Sequence, residues 1–448
     1  MIRPDADAPP PETPRRSLTR YPPLGWLRRS LGRFVPDEVW YNWRWDLVAG
    51  ISSGVYQGAI WTFALQLARG KLHATGHQMA LATAAPAIGF LFAIFWARQM
   101  EGRSKLPFVT ITWLISRGLF ALTPLLVQGP HSTAMFVGLI CVTPILFSVS
   151  TPAYTAIMKE IYPDALRGRL MSYIRIGMAG TMLLSARVMG ILQESYHLDY
   201  RWMFAIGGVF GIGTAIAFQQ LRLPPPETVS APPPMHHFLR DTFRILIHNR
   251  GYRWFTASVF IAGFGNLVAN TYYPIYQVDV FHITPTQIAT VQNVASLLTL
   301  ISLFFWGWYM DRFGSLACVL LACLELCVTP LCYALGNRIE WLYVGAAAGG
   351  VASSGIELGY LNTTLMFAEP GRAAQYQAVH SSFFGLRGTI APLLAVPLLL
   401  SISHVDIMKH LTRANWRTGF EICLVIMLIG GACQLFSQLA YRRAQRKE

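Results

Sequence analysis

A chain of 448 residues that is 53% hydrophobic and only 13% charged is too apolar, and too evenly so, for a soluble protein of this size. It reads as an all-α integral membrane protein. The net charge of +14 by itself suggests a nucleic-acid partner, but that reading needs a basic face on a folded domain, and the positive residues fall instead in short segments between apolar runs.

Residues 1–23 are crowded with proline and arginine (Pro9, Pro10, Pro11, Pro14, Arg15, Arg16); they bury too little apolar surface to fold and are expected to form a disordered tail. No cleavable signal peptide is expected, since residues 1–45 hold eight arginines and no apolar core. Trp40, Tyr41, Trp43 and Trp45 then make an aromatic cluster of the kind that anchors at the headgroup level. Apolar runs of roughly 20 residues, the length that crosses a bilayer as a helix, follow at 46–68, 77–97, 106–127, 133–156, 170–193, 201–221, 253–276, 285–308, 315–336, 340–364, 374–400 and 417–440. That makes twelve transmembrane helices in two sets of six.

A stiff proline-rich connector, Pro224 to Pro234, parts the two sets. After it, Phe238, Leu239, Thr242, Phe243 and Leu246 recur at helical spacing opposite Arg240, Arg244 and His248, the pattern of a helix lying on a membrane surface. The expected domains are a tail (1–45), a first bundle (46–222), a linker (223–252), a second bundle (253–440) and a short tail (441–448). With both termini on the cytoplasmic side, segments on that side hold 25 of the 36 Lys and Arg and those on the other side hold 7. This bias sets the expected orientation, because positive loops are retained in the cytoplasm. The seven cysteines lie within apolar runs without C-x-x-C pairs or histidines at metal spacing, and read as packing residues.

The runs at 285–308 and 315–336 are joined by a very short charged turn, Gly307-Trp308-Tyr309-Met310-Asp311-Arg312-Phe313-Gly314. Gly307 is expected to let two helices approach closely, Asp311 to accept from backbone N–H groups at a helix start, and Gly314 to take a conformation closed to other residues. This turn resembles the G-x-x-x-D-R-x-G loop of the major facilitator superfamily, whose second copy lies between the eighth and ninth membrane helices. The halves also echo each other: Tyr162-Pro163 with Arg167-Gly168-Arg169 answers Glu369-Pro370 with Arg372, and Met100-Glu101-Gly102 answers the charged turn. Weak parallel repeats of this kind belong to the major facilitator fold, two six-helix bundles facing each other across a central pathway. The resemblance implies that Gly307, Asp311, Arg312 and Gly314 act as a cytoplasmic latch stabilising an outward-open state. The first copy is degraded, with Ala97 in place of the leading glycine and Glu101 in place of the aspartate. An R-x-x-x-G-x-G arginine on the fourth span and G-P-x-x-G on the fifth are missing, which lowers the multidrug-exporter reading.

Ionisable groups within spans cost about 2.5–3.5 kcal/mol at a helix centre and are functional candidates by default. Arg117 and Arg387 lie deepest, while Arg175 and Arg187 are near enough to helix ends to snorkel. Glu325 falls on a helix peripheral in the resembled fold and is expected to form a structural ion pair. Glu357 sits on a helix that lines the pathway there, near Asn362, and is expected to pair with Arg387. His380 suits a proton relay or a simple hydrogen bond. Tyr56, Gln57 and Trp61 share one side of the first helix, and Asn266, Asn270 and Tyr273 recur at helical spacing on the seventh; such groups line a path or glue helices together, and lining is preferred. No nucleotide, zinc or nucleophile motif is present. The expected protein is a monomeric secondary transporter of the plasma (inner) membrane without a cofactor. Its expected partners are the lipid bilayer and a small-molecule substrate, leaning to an organic anion, with protons as the candidate coupling ion. The alternative is a transporter-fold scaffold or sensor.

Overall fold

The computed structural model describes residues 35–92, 96, 103–127, 129–223, 246, 249–368, 373–406 and 408–445. The expected disordered tail, the proline-rich connector, nearly all of the surface helix after it, and the repeat elements at 97–102 and 369–372 lie outside the described residues. Every contact discussed below lies within the unit formed by residues 42–448.

Among the described residues the fold is all helix: α1 (Asp37–Ile60), α2 (Ala64–Gly70), α3 (Gly76–Leu91), α4 (Leu106–Ala121), α5 (Thr123–Leu126), α6 (Ser132–Ile161), α7 (Asp164–Ser195), α8 (Tyr200–Gln219), α9 (Arg250–Asp279), α10 (Pro285–Phe313), α11 (Ser315–Leu326), α12 (Val328–Leu335), α13 (Ile339–Phe367), α14 (Ala373–Ser403) and α15 (Arg413–Gln445). Among the described residues seven spans, including α6 to α8, α10, α11 with α12, and most of α14 and α15, are long and apolar enough to cross a membrane. Large apolar side chains point outward, as with Phe304 at 86% exposure, which suits lipid and not water.

Three expected spans are broken helices. Pro124 and Pro330 each lack the N–H that would bond four residues back, and the chain turns at Leu122 and Cys327 instead. Near the first break, the hydroxyl of Thr123 donates to the carbonyl of Phe120 at 2.6 Å and satisfies part of the interrupted ladder. The third break, at Trp61–Phe63 between α1 and α2, has no proline or glycine, and nothing in the local sequence explains it.

Four turns repeat one device. His73, His197, His282 and His404 all take positive φ, between 49° and 54°, in the turns after α2, α7, α9 and α14. In two of them the turn runs straight into a capping box, Thr75 with Gln78 opening α3 and Thr284 with Gln287 opening α10. Their backbone bonds, Ala74 N–H to Ala68 O at 2.9 Å and Ile283 N–H to Gln277 O at 3.1 Å, close the preceding helix in the manner of a Schellman turn. Histidine thus stands where glycine is usual, and the two copies show an internal repeat more clearly than the proline turns do.

Within the first half α4 packs on α6 and α8; within the second, α9 packs on α14 and α15, and α13 on α10 and α11. Between the halves the principal contacts are α3 on α14 and α7 on α10. Most hydrogen bonds joining the halves among the described residues lie toward the end where α2 meets α9, with Asn293 to the Leu183 carbonyl deeper between α10 and α7. Arg69 donates to both carboxylate oxygens of Asp279, at 2.9 and 2.5 Å; Gln66 bonds Gln277 at 3.0 Å, and Thr286 N–H bonds Glu194 at 2.9 Å. An aromatic cluster of Tyr272, Tyr273, Tyr276, Tyr333, Trp416 and Phe420 packs behind them. This end of the bundle is closed.

Candidate functional site: a cavity in the first half

The site begins with a glycine stripe on α1. Gly50, Gly54 and Gly58 lie one turn apart, and a Cβ on Gly54 or Gly58 would come within 2.1 Å of Thr181 Oγ1 or 2.0 Å of Ser185 Oγ on α7. Only a glycine lets the two backbones approach so closely. Seating that stripe on α7 turns the adjoining stripe, Asp46, Ser53, Tyr56 and Gln57, toward a cavity of about 620 Å³. The walls come from α1, α3, α4, α6, α7 and α8, and the second half contributes Leu300 alone.

Arg117 on α4 is the buried cation of this cavity, at 4% exposure. Gly211 of α8 makes room for it, since a Cβ there would lie 2.6 Å from Arg117 Cβ. Its guanidinium carbon sits 4.3 Å from the ring centre of Trp113 and 4.9 Å from that of Tyr56, a cation–π clamp. Nη1 reaches Ser53 Oγ at 3.4 Å, and among the described residues no carboxylate pairs with it. Trp113 is itself fixed, its Nε1 donating to Ser150 Oγ at 2.8 Å and its ring stacking on Phe147.

Asp46 was not among the sequence candidates. It lines the same cavity at 3% exposure, accepts a hydrogen bond from the Tyr162 hydroxyl at 2.8 Å, and has no cation within ion-pair distance among the described residues. The signal was present in the sequence, an acid at the head of an apolar run, as was the Gly50-Gly54-Gly58 spacing.

Of the expected lining, Tyr56, Gln57, Trp61, Arg117 and Arg175 do meet in the cavity. Gln57 also bonds Ser53 Oγ at 3.2 Å, and Arg175 is exposed at the cavity's edge. Asn266, Asn270 and Tyr273 do not line it; Tyr273 is stacked against Tyr333 and Phe420 at the closed end. Asn362 bonds Leu358 O of its own helix at 2.8 Å. His380 stacks on Phe255 and meets Tyr360 edge-on. Arg387 is buried at 5% exposure, donates to the carbonyl of Val259 and lies over Phe384, hemmed in by Gly263. Glu357 is exposed and makes no ion pair with Arg387 or any other described residue, and Glu325 likewise has none. Arg187 is exposed and reaches Thr290 at 3.5 Å.

The charged turn differs from its expected geometry in two respects. A Cβ on Gly307 would meet nothing within 4 Å, so no helix among the described residues approaches it, and α11 starts without a side-chain cap, leaving Asp311 exposed in the last turn of α10. Gly314 does adopt φ +84°, the conformation that demanded glycine. Arg312 is exposed beside Phe313. All seven cysteines are free thiols, five of them buried, and no group of three or more His, Cys, Asp or Glu could hold a metal ion among the described residues.

A membrane-embedded helical bundle around a polar-tipped cavity defines a solute carrier. The chain matches the Major Facilitator Superfamily model over residues 47–335 and 255–447 and belongs to that family. Its function is to move a small solute across the membrane, not to catalyse a reaction. Similar solved structures include a point variant of the nucleoside transporter NupG (TM-score 0.72, 11% identity, covering 88% of this chain and 99% of that one). Another is a bacterial homolog of the human lysosomal transporter Spinster in an inward-facing, occupied conformation (TM-score 0.60, 16% identity, 91% and 98% covered). No curated protein matches the sequence.

Proposed function

We propose that this protein is a twelve-helix secondary transporter of the plasma (inner) membrane that moves an organic anion by alternating access between two six-helix halves, with protons as the candidate coupling ion. Both termini and the charged turn face the cytoplasm, so the closed end is the external one. The observation that carries the substrate reading is Arg117: a buried guanidinium lining a 620 Å³ cavity without a carboxylate to neutralise it awaits an anion, because an unpaired charge at this depth is otherwise costly. The inter-half bonds gathered at the closed end support a state open toward the cytoplasm. In this state the latch residues are disengaged, as the family resemblance implies for any state but the outward-open one.

The test is counterflow in proteoliposomes with labelled carboxylates, a nucleoside and a quaternary amine, with and without a proton gradient. Carboxylate exchange, lost in Arg117→Met, is the expected result. Exchange of the nucleoside or amine in preference to every carboxylate would overturn the anion reading, and binding without exchange of any compound would favour the sensor alternative.

A further inference from the structure

The cavity holds an unpaired guanidinium and a buried carboxyl group with no cation partner among the described residues, and α1 acts as a ruler between them. Arg117 is tied to Ser53, and Asp46 precedes Ser53 by two helical turns on the same stripe, about 10 Å at 1.5 Å per residue. Between these ends the walls are aromatic, Phe90, Trp113, Phe147 and Phe218 among them. The face of the Arg117 guanidinium is covered by Trp113 and Tyr56, and one nitrogen of its edge, Nη1, meets Ser53. The remaining N–H groups have no partner among the described residues and belong to a residue that lines the cavity, so a planar carboxylate meets them edge-on.

Asp46 limits the charge the cavity accepts. A dianion would bury its second charge beside an acid that already lacks a cation, with only exposed Arg175 at the rim to offset it. A hydrogen-bond donor at the same point is favourable, because one oxygen of Asp46 already takes the Tyr162 hydroxyl and the other has no partner among the described residues. We propose that the substrate is a flat aromatic monocarboxylate, its carboxylate on Arg117 and a hydroxyl or amine about 10 Å away on Asp46. This rests on the organic-anion reading above and narrows it.

Quenching of intrinsic tryptophan fluorescence in the purified full-length protein, with Trp61 and Trp113 in the cavity wall, reads binding directly. Three probes separate the terms: 6-hydroxy-2-naphthoate, 2-naphthoate without the donor, and 6-hydroxy-2-naphthamide without the charge. The parent protein should prefer the hydroxynaphthoate over 2-naphthoate by about tenfold, the scale of a hydrogen bond to a charged group, and over the amide by at least as much. Asp46→Asn keeps an acceptor for Tyr162 but should bring the first ratio close to one, whereas Arg117→Gln should collapse the second. Equal affinity for all three probes in the parent, or ratios unchanged in both variants, overturns the proposal. Carboxylate counterflow together with equal probe affinities would sink this inference and leave the transport reading standing, whereas no carboxylate counterflow at all would sink the reading itself.

Discussion

Arg117 and Arg387 are buried almost equally, at 4% and 5% exposure, yet their surroundings differ in kind. Arg117 is clamped by two aromatic rings and a hydroxyl on one side and faces an open cavity on the other. Arg387 is enclosed within its own half: its Nη1 donates to the Val259 carbonyl across a gap that Gly263 leaves for it, Phe384 covers its face, and its buried Nε has no partner among the described residues. Depth in an apolar run therefore identifies a costly cation without saying what repays the cost. An N–H edge that opens on a cavity marks recognition, whereas a guanidinium shut in against a carbonyl marks helix packing.

The largest effect expected from this comparison is at Gly263. A Cβ there would lie 1.7 Å from Arg387 Nη1, so Gly263→Ala should destabilise the protein by about 1–3 kcal/mol, the range for overpacking, with the Arg387 head displaced from the Val259 carbonyl. Shortening Arg387 in the same chain should restore much of the loss, and melting in detergent checks both. A melting temperature for Gly263→Ala equal to that of the parent would remove the packing account of Arg387.

Next in size is one substitution made at both sites. Arg117→Met should reduce transport on the order of 100-fold, the cost of a lost charge-assisted contact, with a small change in stability. Arg387→Met should change stability in either direction while leaving the KM of transport close to the parent's, since an apolar side chain of similar length often replaces a buried charge without penalty. Equal losses of transport in the two variants would erase the distinction.

The same comparison explains what the sequence could and could not disclose. Span positions were legible because an apolar run of bilayer length has few other uses, and Gly314 was legible because a turn so short needs a positive φ. Arg117 stood out by its cost. Asp46 did not, because at the first residue of a run a charge is cheap, and only the packing of α1 on α7 carries it into the wall of the cavity. The faces of α9 and α13 could not be read from spacing for a related reason. Asn266, Asn270 and Glu357 sit at sensible helical spacing, but spacing leaves the rotation of a helix free. Close contacts such as Gly265 on Cys423 O and Gly430 on Ala262 set the seating of α9 against α15, and a single sequence gives no partner for a glycine. Of the three helix breaks, the two with proline were readable in principle; the one at Trp61–Phe63 was not.

A smaller effect is expected at the closed end. Arg69 and Asp279 tie α2 to α9, but their side chains remain 13% and 26% exposed, so solvent screening should hold the pair to roughly 1 kcal/mol or less. Arg69→Ala should raise the outward-open population by about fivefold at most. On the proposed topology, a cysteine placed at Gln277 would then be labelled faster from outside. An unchanged rate would assign closure of this end to the aromatic cluster alone.

The smallest change in the present state should follow Asp311→Asn. Asp311 is exposed and bonded to no described residue, and no neighbour approaches Gly307 four residues earlier, so nothing visible in this conformation depends on its charge. The melting temperature in detergent should therefore not move measurably. A latch that engages only when the cytoplasmic end closes would show itself elsewhere: the outward-open population, read by labelling at Gln277, should fall, because a substitution acts on an equilibrium only through the state in which its contact exists. Stability and labelling thus separate two accounts of the charged turn. A lowered melting temperature would mean that Asp311 already holds a contact in the state described here. An unchanged labelling rate, with an unchanged melting temperature, would reduce the turn to a tight connection between α10 and α11 whose single demanding position is Gly314.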